Sequence, residues 1–146
     1  MNPFSDEYFM EQALTEARLA AAEDETPVGA VIVCGDRIIA RAHNQTERLN
    51  DPTAHAEMLA ITAATGALGA KYLTDCHLYV TVEPCVMCAG AIAWAQLASL
   101  VYGAKDEKRG FTILAPTALH PKTEVRSGIK EEASASIMKK FFQNKR

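Results

Sequence analysis

Residues 82–94 read VEPCVMCAGAIAW and place two thiols, Cys85 and Cys88, three positions apart directly after Pro84. The preceding segment, CHLYVTVE, is rich in β-branched and aromatic side chains and predicts a strand. PCVMCAGAIAWAQL predicts a helix with Pro84 in its first turn. Thiols at a helix N-terminus ionise readily, because this end carries a positive partial charge. The pair alone is compatible with a redox dithiol, half of a structural zinc knuckle or part of a catalytic metal site.

Outward from this stretch, the patterns predict strands that alternate with helices. Strands are expected over 30–34, 37–43, 76–83 and 99–104, the first two joined by a Gly35-Asp36 turn. Helices are expected over 8–22, 54–69, 84–97 and 128–146. Residues 112–127 contain two prolines and are expected to be irregular. The alternation is typical of an α/β sandwich in which helices cover a central sheet.

The ends and faces of three of these helices can also be predicted. Ser5 or Asp6 is expected to cap the first helix, and Gly66 or Gly69 to end the second. The last helix is expected to bury an apolar face formed by Ile129, Ala133, Ile137 and Phe141.

Size and composition indicate one folded domain over residues 1–146. Apolar residues make up 49% and charged residues 23%, which argues against disorder. No apolar run is long enough to span a bilayer, and the acidic N-terminal segment does not resemble a signal peptide. We therefore expect a cytoplasmic protein without a membrane partner, whose cysteines are thiols or metal ligands rather than a disulfide framework.

The charge is unevenly distributed along the chain. The net charge of −3 argues against a general nucleic-acid binder. Residues 1–104 carry 5 Lys/Arg against 13 Asp/Glu, whereas residues 105–146 carry 10 against 5. A basic last third is compatible with a nucleic-acid contact face and also with ordinary solvated helix faces.

A second motif, TAHAEM, places His55 and Glu57 at the start of the preceding helix. His55, Cys85 and Cys88 form a ligand set that suits zinc, one ion per chain. Three protein ligands leave one position for water, as in catalytic zinc sites, whereas a structural site has four. The other cysteines and histidines lack motif spacing and are expected to be core or surface residues: Cys34, Cys76, His43, His77 and His120.

Glu57 can approach the same metal only if the site lies beyond the ends of the helices, since positions i and i+2 diverge in mid-helix. Two helix N-termini are therefore expected to converge on one zinc. Zinc lowers the pKa of bound water to about 7, and an adjacent carboxylate can carry the proton from that water to a leaving group. This combination indicates hydrolysis.

The pattern H-x-E followed by P-C-x-x-C resembles the signature of zinc nucleobase deaminases. More closely, the chain resembles the bacterial tRNA-specific adenosine deaminase family through PVGAV at 27–31, DPTAHAE at 51–57, LYVTVEPCVMCAGAI at 78–92, VYGAKDEKRG at 101–110 and FFQNKR at the end. The resemblance implies a cytidine-deaminase-like three-layer α/β/α sandwich around a five-stranded mixed sheet. It also implies a homodimer that converts the wobble adenosine of a tRNA anticodon to inosine.

The resemblance assigns roles by position. It implies that His55, Cys85 and Cys88 hold zinc, that Glu57 moves the proton, and that Asn44 binds the flipped base. Asp106 resembles the aspartate beside the preceding nucleotide, where a 2′-hydroxyl can be sensed. The resemblance further implies that seven basic residues contact the backbone of the RNA: Lys105, Lys108, Arg109, Lys139, Lys140, Lys145 and Arg146.

The chain departs from the family in one region. After His120-Pro121 it reads KTEVRSG and lacks an Asn-His pair found in many members, and FTILAPTAL around Phe111 also differs. Two alternatives therefore stay open. One is a deaminase of free nucleosides or bases such as cytosine, guanine or adenosine. The other is a zinc-stabilised binding module, which a shell of four protein ligands would favour.

Overall fold

The computed structural model describes residues 5–145. Its elements are, in chain order, α1 (Asp6–Ala22), β1 (Gly29–Cys34), β2 (Arg37–His43), α2 (Ala56–Leu68), β3 (Cys76–Val82), α3 (Val86–Ala95), β4 (Ser99–Ala104), α4 (Phe111–Leu114), β5 (Glu124–Ser127) and α5 (Glu131–Asn144). The strands form one five-stranded sheet in the order β2-β1-β3-β4-β5. β1 is antiparallel to β2 and β3, whereas β3, β4 and β5 are parallel, so the predicted mixed sheet is confirmed.

Helices cover both faces of this sheet, as the alternation of strand side chains requires. On one face, Val31 and Tyr79 pack against Phe9 of α1, with Ile129 before α5 beside them. On the other, alanines of α2 and Ile92 of α3 pack against the even-numbered residues of β1, β3 and β4. The three-layer α/β/α sandwich is thereby confirmed. No helix within residues 5–145 is long and apolar enough to cross a membrane.

One turn and two helix ends form as the local sequence predicts. Gly35 and Asp36 both have positive φ, 56° and 63°, which suits the two-residue turn between β1 and β2. The Ser5 hydroxyl accepts a hydrogen bond from the Tyr8 N–H at 3.1 Å and caps α1. Gly69 ends α2 in the left-handed conformation, whereas Gly66 lies inside that helix.

Three predictions on local structure are wrong. Residues 112–127 are not wholly irregular, since they contribute most of α4 and all of β5. β5 has one large apolar residue, Val125, and forms through backbone pairing with β4, so its sequence carries no strand pattern. Pro84 precedes α3, which begins at Val86 after Cys85 as the N-cap. Ser134 is buried in α5 in place of Ala133, because it packs against Gly103, where an added Cβ would meet the Ser134 Oγ at 2.4 Å.

Gly29 lets α1 approach β1 closely, and this contact should be sensitive to one methyl group. An added Cβ would lie 2.0 Å from the Ala13 carbonyl oxygen and 2.4 Å from the Ala17 nitrogen. Because backbone atoms cannot move aside cheaply, Gly29→Ala should lower the free energy of unfolding by about 1–3 kcal/mol or more. Urea denaturation measures this change in the free energy of unfolding.

Gly66→Ala is the matched control. It adds the same methyl group in the interior of α2, where nothing lies within 4 Å of the new Cβ. It should raise the free energy of unfolding by roughly 0.5–1 kcal/mol, the usual gain in an exposed helix. Equal losses in both variants would contradict the close-approach account of Gly29.

Candidate metal centre and active site

The sheet brings the predicted site residues to one edge. β3 and β4 are parallel, so their carboxyl ends meet there, followed by Cys85 and by Asp106. β1 is antiparallel to β3 and begins at this edge, and β2, antiparallel to β1, ends there with Asn44 just beyond. Open α/β sheets commonly bind ligands at the carboxyl ends of parallel strands.

His55 and Cys85 are the N-caps of α2 and α3. An N-cap side chain normally accepts a hydrogen bond from the first turn of its helix. Neither of these side chains does so. Instead they turn toward each other, with the His55 Nδ1 3.7 Å from the Cys85 Sγ. The predicted convergence of two helix N-termini is confirmed.

The three predicted ligands have the spacing that one zinc ion needs. The His55 Nδ1 lies 3.5 Å from the Cys88 Sγ, and all three ligand atoms lie within 4.8 Å of one another. Zn–S bonds of about 2.3 Å and Zn–N bonds of about 2.0–2.1 Å at a tetrahedral angle separate N and S by about 3.6 Å. The donor set and its two nitrogen–sulfur distances therefore fit zinc.

The electrostatics of these residues favour metal binding. Hydrogen bonds from Cys88 and His55 lower the pKa of Cys85 to about 4, whereas the pKa of Cys88 is raised because its thiol donates to Cys85 and is buried. Burial raises the pKa of Glu57 to about 7. A dication bound here would favour the ionised forms of all three groups.

Within residues 5–145, no fourth His, Cys, Asp or Glu joins this cluster. His43 lies instead between Glu16 and Glu23. His77 contacts Ser99, and the His120 Nδ1 accepts a hydrogen bond from the Lys122 N–H at 3.1 Å. Cys34 and Cys76 lie at the opposite edge of the sheet. A three-ligand set is typical of catalytic zinc rather than of a structural zinc module.

A cavity of about 210 Å³ lies beside the metal ligands. Glu57, 4% exposed, and Asn44 both line it. The Asn44 Nδ2 donates to Glu25 Oε1 at 3.5 Å and to Thr46 Oγ1 at 3.4 Å. Among residues 5–145 the Asn44 Oδ1 has no hydrogen-bond partner, so its carbonyl is available to a ligand in the cavity.

Two buried carboxylates were not predicted from the sequence: Glu83, which lines the cavity, and Glu25, which contacts Asn44. Glu25 accepts hydrogen bonds from the backbone N–H groups of Glu47 and Arg48 at 3.0 and 2.7 Å, which fixes the loop after β2. The only sequence signal for Glu25 and Glu83 is an acidic residue directly beside a predicted strand or motif, as in DETPVGA and VEPC.

Glu83 fixes the loop after β4 in the same way. Its carboxylate accepts hydrogen bonds from the Asp106 N–H at 3.1 Å and from the Thr112 N–H at 3.0 Å and hydroxyl at 2.6 Å. Gly110 leaves the space that Glu83 needs, since an added Cβ there would meet the Glu83 carboxylate at 2.3 Å. Asp106 in turn accepts from the N–H groups of Lys108 and Arg109.

A larger cleft of about 740 Å³ adjoins the metal cavity, and the two share Thr26, Val82, Asp106 and Met138 as lining residues. Lys105, Lys108 and Arg109 line this cleft, as does Phe142 of α5. Met138 lies in no motif, whereas Phe142 belongs to the FFQNKR stretch, in which only Lys145 and Arg146 were expected to bind the substrate. Lys145 lies elsewhere, paired with Asp24, and Arg146 lies outside the described residues.

The family follows from comparison with known proteins. A family model described as the cytidine and deoxycytidylate deaminase zinc-binding region matches residues 3–104. The chain belongs to this deaminase family. Its relatives in the family include the tRNA-specific adenosine deaminase of Agrobacterium fabrum, which is 47% identical over 144 residues, 95% of each chain. The family description and the ligand geometry together confirm the predicted zinc.

Two solved deaminase structures share the fold. One, from a study of A-to-I editing by tRNA:A34 deaminases at the wobble position, has a TM-score of 0.83 and 48% identity, and covers 89% of this chain and 98% of its own. The other, guanine deaminase from Nitrosomonas europaea, has a TM-score of 0.85 and 25% identity, and covers 94% and 84%. The fold is shared by both, but the sequence is closer to the first.

The ligand assignment predicts zinc content directly. The purified protein should hold about one zinc per chain by elemental analysis, and Cys85→Ser or Cys88→Ser should reduce it severalfold or more, because three ligands become two. Cys34→Ser, which replaces a thiol at the far edge of the sheet, is the matched control and should keep the metal. Equal zinc loss in Cys34→Ser would refute the assignment.

Proposed function

We propose that the protein deaminates adenosine to inosine at the wobble position of a tRNA anticodon by hydrolysis. One observation carries the proposal: the small cavity beside the metal ligands opens into a cleft lined by Lys105, Lys108 and Arg109. The likeness to tRNA-specific adenosine deaminases over nearly the whole chain supports the same substrate.

The sizes of the two spaces suit a base and a strand. Pockets for drug-sized ligands usually enclose about 300–1,000 Å³, so the metal cavity of about 210 Å³ suits one planar base rather than a whole nucleotide. A base enters such a cavity only after it is flipped out of its stack, and an anticodon loop lowers that cost because its bases are partly unpaired. The adjoining cleft then receives the flanking backbone.

The chain supplies the groups that this reaction needs. When bound to His55, Cys85 and Cys88, zinc supplies the Lewis acidity that activates water near neutral pH. Glu57 accepts a proton of the attacking water and gives it to N1 of the adenine. It then accepts the proton of the new C6 hydroxyl and gives it to the C6 amino group, which leaves as ammonia. Asn44 holds the base by hydrogen bonding, with its amide nitrogen oriented by Glu25 and Thr46. Adenosine and water thereby yield inosine and ammonia.

Asp106 is proposed to lie beside the nucleotide that precedes the target. It lines both the cavity and the cleft, which is the position where the RNA would pass from one to the other. Its Oδ1 is engaged with two backbone N–H groups, at 3.0 and 2.9 Å, which stiffens the turn that carries Lys108 and Arg109. A carboxylate can accept a hydrogen bond from a 2′-hydroxyl, the group that distinguishes RNA from DNA.

A deaminase of guanine or of another free base is the second candidate. The structural likeness to a guanine deaminase favours it, since the TM-score of 0.85 is as high as that of the tRNA-directed relative. The three cationic side chains of the cleft, which outnumber its carboxylates Asp106 and Glu107, argue against it, because a free base has no phosphates to bind. We further propose that residues 1–146 form one deaminase domain that acts in the cytoplasm, where tRNA is processed.

Glu57→Gln tests the proton transfer. The amide cannot accept and return a proton, so the rate of inosine formation in anticodon stem-loop RNA should fall by ~10²–10⁴-fold. Zinc should stay bound, because Glu57 is not one of the three ligands. Glu132→Gln, on the exposed first turn of α5, is the control and should leave the rate unchanged. Zinc loss in Glu57→Gln would instead identify Glu57 as a ligand.

Replacement of Lys105, Lys108 and Arg109 by alanine tests the RNA cleft. For each phosphate of a single strand that the variant no longer neutralises, the slope of log affinity against log salt should become shallower by ~0.7. Fluorescence anisotropy with stem-loop RNA, measured over a range of salt, gives the slope. The control replaces Arg37, Lys71 and Lys122, which change the net charge equally at the opposite edge of the sheet. Equal effects of both sets would contradict a localised cleft.

We also propose that the protein is a homodimer that pairs through the α2–α3 layer. Within residues 5–145, six of the ten large exposed apolar side chains lie on α2, α3, α4 or the loop after α2: Leu68, Tyr72, Val86, Trp94, Ile113 and Leu114. Trp94 is the most exposed of them, at 82%. A layer that exposes several large apolar side chains is a candidate protein interface.

Trp94→Asp should therefore convert the dimer to a monomer, because it places a charge in the apolar interface. Sedimentation velocity should give twice the chain mass of 15.8 kDa for the unmodified protein and the single chain mass for this variant. Leu19→Asp, at a similarly apolar exposed position on α1 in the other layer, should remain dimeric. A monomeric unmodified protein would exclude the dimer.

A further inference from the structure

Cys34 and Cys76 face each other across β1 and β3 and play no part in the metal centre. They are directly paired in the antiparallel register, Cys34 as the last residue of β1 and Cys76 as the first of β3. Both are free thiols and both pack against the core under α2 and α3, so their side chains lie on the same face of the sheet. β3 spans seven residues, which puts this pair about 20 Å from the metal edge.

The backbone hydrogen bonds of Cys76 show whether Cys34 and Cys76 are a hydrogen-bonded or a non-hydrogen-bonded pair. Its N–H donates to the Leu73 carbonyl at 3.0 Å, and its carbonyl accepts from the Ala98 N–H at 2.9 Å. Both groups are therefore engaged away from Cys34, as in a non-hydrogen-bonded antiparallel pair. The Cα atoms of such pairs lie about 4.5 Å apart, within the range of about 4.4–6.8 Å that a disulfide spans.

The two thiols differ in access to solvent. Cys76 is 1% exposed, whereas Cys34 is partly exposed beside the β1–β2 turn. Burial and the neighbouring Cys34 thiol raise the pKa of Cys76 to about 12, in agreement with the direct pairing of the two residues across β1 and β3. An external oxidant can thus reach Cys34 first, and Cys76 can react only with Cys34.

We propose that Cys34 and Cys76 form a redox modification site that closes to a reversible intramolecular disulfide by exchange with a small disulfide such as oxidised glutathione. The Cys34 thiolate attacks one glutathione sulfur, forms a mixed disulfide and releases one glutathione thiolate. Cys76 then loses its proton, attacks the Cys34 sulfur and expels the second glutathione. Two protein thiols are oxidised, and one glutathione disulfide is reduced to two thiols.

The crosslink would close a loop that contains β2, α2 and, with them, Asn44 and His55. A disulfide that closes a long loop stabilises a fold chiefly by restricting the unfolded chain. The expected consequence is a higher unfolding temperature, by on the order of 5 °C, with the metal ligands untouched. The site would thereby protect the loop that carries half of the active-site residues under oxidising conditions.

The test treats the zinc-loaded full chain with oxidised glutathione, blocks the remaining thiols and maps the cysteines by mass spectrometry. Chymotrypsin is the suitable protease, since cleavage after Tyr79 separates Cys76 from Cys85 and Cys88, which a tryptic peptide would keep together. We expect a peptide pair joined through Cys34 and Cys76, unchanged zinc content, a raised unfolding temperature, and full reversal by dithiothreitol.

Two single variants distinguish the order of reaction. In Cys76→Ser, Cys34 should stop at a stable glutathione adduct, whereas in Cys34→Ser the buried Cys76 should stay unmodified. The proposal is overturned if the protein without substitutions stops at the glutathione adduct of Cys34. It is equally overturned if Cys34 and Cys76 stay reduced. This outcome includes the case in which no cysteine is oxidised and the case in which Cys85 pairs with Cys88 and zinc is lost. In those cases the pair is a small-residue core contact.

Discussion

The site depends on one constraint, which is that two helices begin at the same edge of the sheet with a metal ligand as the N-cap of each. Because His55 and Cys85 give up side-chain capping, their ligand atoms converge 3.7 Å apart instead of bonding to their own helices. Cys88, one turn into α3, then completes the set. The positive ends of both helices point at this centre, which favours the anionic ligands it contains.

Two buried carboxylates extend this constraint to the substrate side. A buried carboxylate is costly unless its oxygens are hydrogen-bonded, and Glu25 and Glu83 each meet that need with backbone N–H groups of one loop. Glu25 thereby fixes the loop after Asn44, and Glu83 fixes the loop that carries Asp106. The loops that carry Asn44 and Asp106, the residues proposed to contact the base and the strand, are therefore held at the same sheet edge as the metal ligands.

Most of the site could be predicted from the sequence because its signals are local. H-x-E and P-C-x-x-C each open a helix, and the Gly35-Asp36 turn defines the first hairpin, whereas the role of Asn44 at the end of that hairpin was implied only by the family resemblance. The missed features depend on contacts between distant segments. β5 has almost no apolar pattern and forms by pairing with β4, and Met138 reaches the cavity only because α5 packs across β4. Ser134 is buried because Gly103, far away in sequence, leaves room for it.

The most direct test of the account compares turnover of an anticodon stem-loop with that of free adenosine and free guanine under the same conditions. We predict that inosine forms at the wobble adenosine of the stem-loop, with kcat/KM higher than for either free compound by at least two orders of magnitude. The expectation rests on phosphate contacts in the cleft beside the metal cavity, which free compounds cannot make. Equal turnover of free guanine and stem-loop RNA would contradict it.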